Sequence, residues 1–252
     1  MSTRYLIVNA DDFGASSMTN VGIIEAHSSG IVTSTSLMVR NPAAREAVRY
    51  SAQFPRLNFG LHIDLGEWVC RNDEWIAAYE VCDLENLDEI RKEVRRQLGI
   101  FQRIMGRNPT HLDSHQHVHR DHPARTAVVE LGAELQIPVR HFIPDIQYCG
   151  KFYGQSGKGY PCHECISTAA LIGAIAELPP GITEMGCHPG RDNRLHSTYC
   201  FERITEITAL CSPLVRRALK TNNVILRGYQ IPAENLPLNP DLFQFPALSA
   251  TA

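Results

Sequence analysis

Short β-rich runs alternate with helix-like apolar periodicities along nearly the whole chain, and this alternation most constrains the fold. Runs at Tyr5–Ala10, Thr33–Val39, Asn58–Asp64, Thr110–Ser114, Val139–Ile143, Gly181–Cys187 and Val224–Tyr229 read as strands. Between them, Ser17–His27, Pro42–Gln53, Leu87–Met105, Arg120–Leu135, Glu164–Leu178 and Cys200–Cys211 read as helices. The third of these is the plainest: Leu87, Ile90, Val94, Leu98, Phe101 and Met105 recur at three- and four-residue steps, the period of one helix face. Pro42 suits the first turn of its helix. Such a pattern predicts a parallel sheet with helices outside, either a barrel or a doubly wound sheet.

One catalytic domain over residues 1–231 accommodates these elements, with a Pro-rich arm at 232–252. A loop rich in Gly and Tyr is expected at Gln147–Tyr160. The chain of 252 residues is 44% hydrophobic and carries a formal charge of −3, which suits a globular α/β domain and gives no reason to expect nucleic acid or an anionic membrane as partner. No apolar run reaches the ~18 residues of a membrane span. The segment after Met1 lacks a signal-peptide core, so cytoplasmic residence is expected. In that compartment the eight cysteines are expected as free thiols. Cys162-His163-Glu164-Cys165 has CxxC spacing, but no second pair is present to complete a structural zinc site, and a loop or helix start is expected there.

Ionisable residues collect where strands end. Asp11-Asp12, His62 with Asp64, His115, and His188 each follow a β-rich run. In parallel α/β folds that edge carries the sites, because strands supply rigid posts and the following loops close around them.

The stretch HLDSHQHVH holds His111, Asp113, His115, His117 and His119, all on odd positions. A straight strand would place them on one face, yet at ~3.3 Å per residue it would extend about 26 Å, too far for one metal ion. A strand ending near Ser114 puts His115 at the rim as first choice of ligand, with His117 in reserve. Asp113 is expected to orient an imidazole, and the remaining histidines to support the site or the substrate. Asp11 and Asp12, as neighbours, would face opposite ways unless the chain bends; one carboxylate on a metal and the other free as a base would use both. His62 and His188 gain weight only from their positions.

These same segments, NADDFG at 9–14, GIVTS at 30–34, GLH at 60–62, PTHLDSHQHVH at 109–119 and HPG at 188–190, resemble the YdjC-like carbohydrate deacetylases, the group that includes chitooligosaccharide deacetylase. The resemblance runs from about Tyr5 to about Tyr229. It implies an incomplete or distorted (β/α) TIM-type barrel related to the polysaccharide deacetylases, with one divalent ion, Zn²⁺ or Mg²⁺, held by Asp12, His62 and His115. It further implies Asp11 as general base, His188 at the departing amine, and Asp113, His117 and His119 as supporting or substrate residues. The implied reaction removes an N-acetyl group from an N-acetylglucosamine-containing sugar and releases acetate. Trp68, Trp75, Tyr148, Phe152 and Tyr160, all expected in loops, are candidates to stack on sugar rings. A small carbohydrate is the expected partner, and a symmetric dimer is expected on base rates.

Two rivals share some of these residues. His111-Leu112-Asp113 has the HxD spacing of a non-haem iron oxygenase, although those sites occupy all-β barrels. A non-catalytic carbohydrate- or metal-binding protein on the same scaffold would need no base at Asp11.

Overall fold

The computed structural model describes residues 3–191 and 199–230. Strands β1 (Arg4–Phe13), β2 (Ser34–Leu37), β3 (Asn58–Ile63), β6 (Leu112–Ser114), β7 (Ile146–Cys149), β8 (Gly181–Cys187) and β9 (Val224–Leu226) form one sheet, with every pair parallel. Its order is β6-β3-β2-β1-β8-β7, with β9 beside the first three residues of β1. Read around the sheet, strands follow chain order outward from β1 on one side and backward from it on the other. That is barrel order, not the reversal at a switch point that marks a doubly wound sheet. The ring is open between β6 and β7, so the fold is an incomplete α/β barrel.

The opening has a local cause. Val139–Ile143 reads as a strand from its apolar residues, but only Val139 is bridged, to Leu112. His141 adopts φ 70° and breaks the extended chain. The pairing strand comes later, as β7, within the segment expected to be loop. The sheet's gap therefore lies beside Arg140, whose side chain is buried inside the barrel.

The helices are α1 (Ser17–Ser28), α2 (Ala47–Gln53), α3 (Leu87–Met105), α4 (Ala124–Leu135), α5 (Thr168–Ala176), α6 (Phe201–Leu210) and α7 (Pro213–Thr221). The long α3 is bounded as its sequence dictates: the Asn86 side chain accepts from the Asp88 and Glu89 N–H groups, and Gly106 closes the helix at φ 67°. Its buried Ile90, Val94, Leu98 and Phe101 join the main apolar cluster between sheet and helices. The helix expected at Pro42–Gln53 begins as a 3₁₀ turn over Pro42–Glu46. The one expected at Glu164–Leu178 is likewise split, with a 3₁₀ turn at His163–Ile166 before α5. Helix α7, with Ser212 as its cap and Pro213 in its first turn, has no counterpart in the sequence expectations.

Two further findings correct the sequence expectations. Strands β4 (Gly66–Arg71) and β5 (Glu74–Glu80) form an antiparallel hairpin through Asn72 and Asp73, which take φ 52° and 64°. Paired left-handed residues are what a tight hairpin turn demands. Trp68 and Trp75 thus stand on strands and not in loops. Cys162 and Cys165 are joined as a disulfide, whereas Cys70, Cys82, Cys149, Cys187 and Cys211 are free. No described helix is long and apolar enough to cross a membrane. The Pro-rich arm expected at 232–252 lies outside the described residues.

Candidate active site

Strand β1 delivers both aspartates to the barrel mouth because it bends there. Its register against β2 shifts between Ala10 and Phe13, and Asp12 takes φ 67°. Without that bend the two carboxylates would face opposite sides of the strand. Asp12 Oδ1 lies 3.3 Å from His62 Nε2, at the end of β3, and 3.2 Å from His115 Nδ1, just after β6. These three side chains each offer a ligand atom within 4.8 Å of the others. One carboxylate oxygen and two imidazole nitrogens make a donor set suited to a divalent ion. The other Asp12 oxygen accepts from Arg203 Nη2 at 2.6 Å. Burial opposes ionisation of Asp12, but Arg203 and the two imidazoles outweigh it and hold the carboxyl well below its usual range.

His62 is oriented from behind. Its Nδ1–H donates to Asp113 Oδ1 at 2.7 Å, which leaves Nε2 facing Asp12. Asp113 also accepts from Ser36 Oγ at 2.6 Å and pairs with Arg140 Nη2 at 2.8 Å. Burial disfavours a charged His62, yet Asp113 and Asp12 raise its pKa to about 10 when no other cation shares the site.

Asp11 occupies a different setting. Both its oxygens accept from Arg140, at 2.7 Å each, and Asn9 Nδ2 donates to Oδ1 at 2.8 Å. Burial alone would raise its pKa, but the Arg140 guanidinium lowers it to about 2. Arg140 completes its contacts with Glu184 Oε1 at 2.5 Å. One buried cation thus serves three carboxylates from β1, β6 and β8.

His188 begins the turn after β8. Its Nε2 faces Asp11 Oδ2 at 3.9 Å, and its backbone N–H donates to Glu206 on α6. Burial keeps His188 neutral, with its pKa lowered to about 4. Burial also pushes Glu206 up to about 8, although Tyr199 donates its hydroxyl proton to that carboxyl. Tyr153 stacks on Tyr199 at 5.0 Å and meets His188 edge-on at 5.5 Å. Asp11, Asp12, His62, His115 and His188 all open into one cavity of about 660 Å³.

A family model described as YdjC-like protein matches residues 5–221. The chain belongs to the YdjC-like family. It is 33% identical to the chitooligosaccharide deacetylase of Serratia marcescens, covering 90% of this chain and 98% of that one. The carbohydrate deacetylase of Geobacillus stearothermophilus is also 33% identical, over 90% and 97% of the two chains. Among solved structures, a putative cellobiose-phosphate cleavage protein from Enterococcus faecalis superposes with a TM-score of 0.72 at 27% identity, covering 90% of this chain and 98% of that one. The family 4 carbohydrate esterase of Streptomyces lividans, solved with acetate, shares the fold at a TM-score of 0.51 and 11% identity, over 90% and 93% of the chains.

In this YdjC-like chain the five residues of HLDSHQHVH separate by level. His111 is fully buried and stacked on Tyr229 at 3.8 Å. His111 and Asp113, the HxD pair, lie 4.0 Å apart and do not line the cavity. His119 is buried too, where it meets Ser114 Oγ at 2.6 Å and the Arg140 carbonyl at 3.2 Å. His117 lines the cavity and meets His141 Nε2 at 3.0 Å. Asp64, at a strand end like the others, instead accepts from Arg40 at 2.5 Å and Tyr79 at 3.0 Å, anchoring the β4–β5 hairpin. Trp68, Trp75, Tyr148 and Phe152 line the cavity; Tyr160 is exposed away from it. Sequence reasoning missed Arg140 and Arg203, whose aspartate partners lie far away along the chain, and Glu206, which meets Tyr199 and His188 from within an amphipathic helix that carries no local mark of a site.

Proposed function

We propose that this YdjC-like chain is a metal-dependent carbohydrate N-deacetylase that hydrolyses the acetamide of an N-acetylglucosamine-containing sugar to acetate and the free amine. The observation that carries this is the convergence of Asp12, His62 and His115 beside a separately held carboxylate, Asp11, in one cavity. A binding protein has no use for that second carboxylate. The names of the relatives point the same way.

Asp12, His62 and His115 would hold a divalent ion, which would supply Lewis acidity toward water and a carbonyl. Asp113 fixes His62 in the tautomer that presents Nε2. Asp11, ionised at neutral pH, accepts the proton of the attacking water. Arg140 holds both Asp11 oxygens in place, so the base cannot swing toward the ion site. His188 is neutral and faces Asp11, and it stands where that proton can be relayed to the departing nitrogen. An amine leaves only when protonated, so the relay completes the reaction. Cavity aromatics Trp68, Trp75 and Tyr153 offer faces for sugar rings. Cytoplasmic residence and a homodimer accompany this proposal, to be tested by fractionation and light scattering.

The deciding experiment strips the protein with chelator, resupplies Zn²⁺, Mg²⁺, Mn²⁺ or Co²⁺, and measures acetate from N,N′-diacetylchitobiose and other N-acetylated sugars. Metal-dependent release is expected. Metal binding with no release from any sugar would overturn the proposed reaction. Asp11→Asn should abolish release while the ion stays bound; loss of the ion as well would reverse the roles given to the two aspartates.

A further inference from the structure

Strand registers place Tyr148 in the reaction chamber. Tyr148 pairs with Glu184, and Glu184 points into the barrel to meet Arg140. Along β8, Glu184 and Gly186 share that inward face, as alternate residues of a strand must, and His188 follows just beyond the strand's end. On the neighbouring strand, Ile7 and Asn9 stand level with Glu184 and Gly186, and Asp11 follows them upward. Gly186 therefore occupies the layer just beneath His188 and Asp11, and it has no side chain to fill it.

The Tyr148 hydroxyl fills that layer. A Cβ built on Gly186 would come 2.6 Å from Tyr148 Oη, closer than any methyl group can lie. Both residues line the cavity. The ring is fixed from its sides: Arg140 sits 5.4 Å over its face, and His141 packs edge-on at 4.5 Å. Burial raises the phenol pKa well above its ordinary value, so the hydroxyl keeps its proton.

That proton is weakly committed. The nearest partner of Tyr148 Oη is His117 Nε2 at 3.4 Å, the long limit of a hydrogen bond. His117 is itself held through Nδ1 by His141. The backbone carries strain to build this pair, since Gln116, His117 and His141 take φ 48°, 55° and 70°, a region costly for residues with a Cβ. A hydroxyl seated in the chamber, with a distant partner and strained supports, is poised to donate elsewhere.

We propose that Tyr148 is a catalytic residue whose hydroxyl donates a hydrogen bond to the acyl carbonyl oxygen of the substrate, stabilising the negative charge that develops there as water adds. His117 and His141 position it. This rests on the N-deacetylase function above, and it adds to that function a donor supplied by the protein itself. Preorganised donors of this kind hold the developing charge more strongly than the ground-state carbonyl, so their loss appears chiefly in kcat.

The test compares Tyr148→Phe and Gly186→Ala with the wild-type holoenzyme. Tyr148→Phe removes one oxygen and keeps the ring. It should lower kcat by ~10²-fold with KM within about threefold, as loss of a single oxyanion donor does. Gly186→Ala should lower kcat similarly by displacing the hydroxyl, with thermal unfolding reporting that the fold is intact. A Tyr148→Phe enzyme with wild-type kcat, or one changed only in KM, would overturn the proposal. A second readout is independent of turnover. N,N′-diacetylchitobiose added to Asp11→Asn protein should give a near-ultraviolet difference spectrum whose tyrosine component shrinks when Tyr148→Phe is added to that variant, the remainder coming from the other cavity aromatics. If the wild type deacetylates no sugar but the spectrum appears, the reaction falls and the contact stands. If the spectrum is the same with and without Tyr148, the contact falls.

Discussion

Asp113 Oδ1 stands 2.7 Å from His62 Nδ1, on neighbouring strands at paired register, so the carboxylate that orients the imidazole is fixed by the sheet itself. Asp113→Asn keeps the volume but removes the charge and allows the wrong tautomer. Metal affinity should fall by ~10–100-fold, the usual effect of losing such a partner. Competition against a chromophoric chelator measures it. Unchanged affinity would mean that His62 is held by packing alone.

Arg140 pairs with Asp11, Asp113 and Glu184, all fully buried. Arg140→Met should destabilise the fold by ~3–5 kcal/mol, because it strands buried carboxylates. A pH effect follows from Asp11. Its folded pKa, about 2, lies below the ordinary 3.8, so its contribution to stability is present above 3.8 and is lost as pH falls through about 2. Without Arg140 that carboxyl titrates higher, and acid unfolding should begin at higher pH. Urea midpoints across the acid range decide the matter; coincident acid limbs for both proteins would rule it out.

The sequence made the mouth of the barrel legible and left its interior dark. Asp11, Asp12, His62, His115 and His188 follow apolar runs, and strand ends in parallel folds are where sites form. The cations between them carry no such local mark. Arg140 sits in a run that looks like an ordinary strand, and Arg203 lies on an amphipathic helix; each becomes functional only through a partner more than a hundred residues away. The β4–β5 hairpin was hidden for another reason. Its β5 strand is exposed throughout, so no apolar alternation marks it, and only Asn72-Asp73 announces the turn. For the CxxC segment a reducing compartment predicts thiols, whereas the structure closes the two sulfurs into a disulfide.

Glu206 and His188 make stability depend on pH in opposite directions. Glu206 is raised from 4.5 to about 8, so its contribution is full below 4.5 and is lost as pH rises through about 8. His188 is lowered from 6.5 to about 4, so its contribution is full above 6.5 and is lost as pH falls through about 4. Glu206→Gln should flatten the decline in melting temperature between pH 6 and pH 8, leaving the acid side unchanged. A decline as steep as wild type would assign the alkaline loss to other groups.

Two glycine-to-alanine changes should have opposite signs. In α3, Gly99 has nothing nearer to an added Cβ than the tip of Arg103, at 3.5 Å. Gly99→Ala should therefore stabilise by ~0.5–1 kcal/mol, from the lower entropy of the unfolded chain. In α1, a Cβ on Gly22 would lie 2.5 Å from Gly190 Cα, and that obstacle is backbone, which no rotamer change can move. Gly190 ends the turn that starts at His188. Gly22→Ala must therefore shift the helix or the turn, at ~1–3 kcal/mol. If the turn yields, His188 moves with it, and displacements near 1 Å in a reacting group can cost ~10²-fold in rate. The expected result is lower stability together with a kcat loss exceeding that of Gly99→Ala, read by urea unfolding and acetate release on the metal-loaded enzymes. A Gly22→Ala protein as stable and active as wild type would show that helix and turn have room to part, and that the close contact does not position His188.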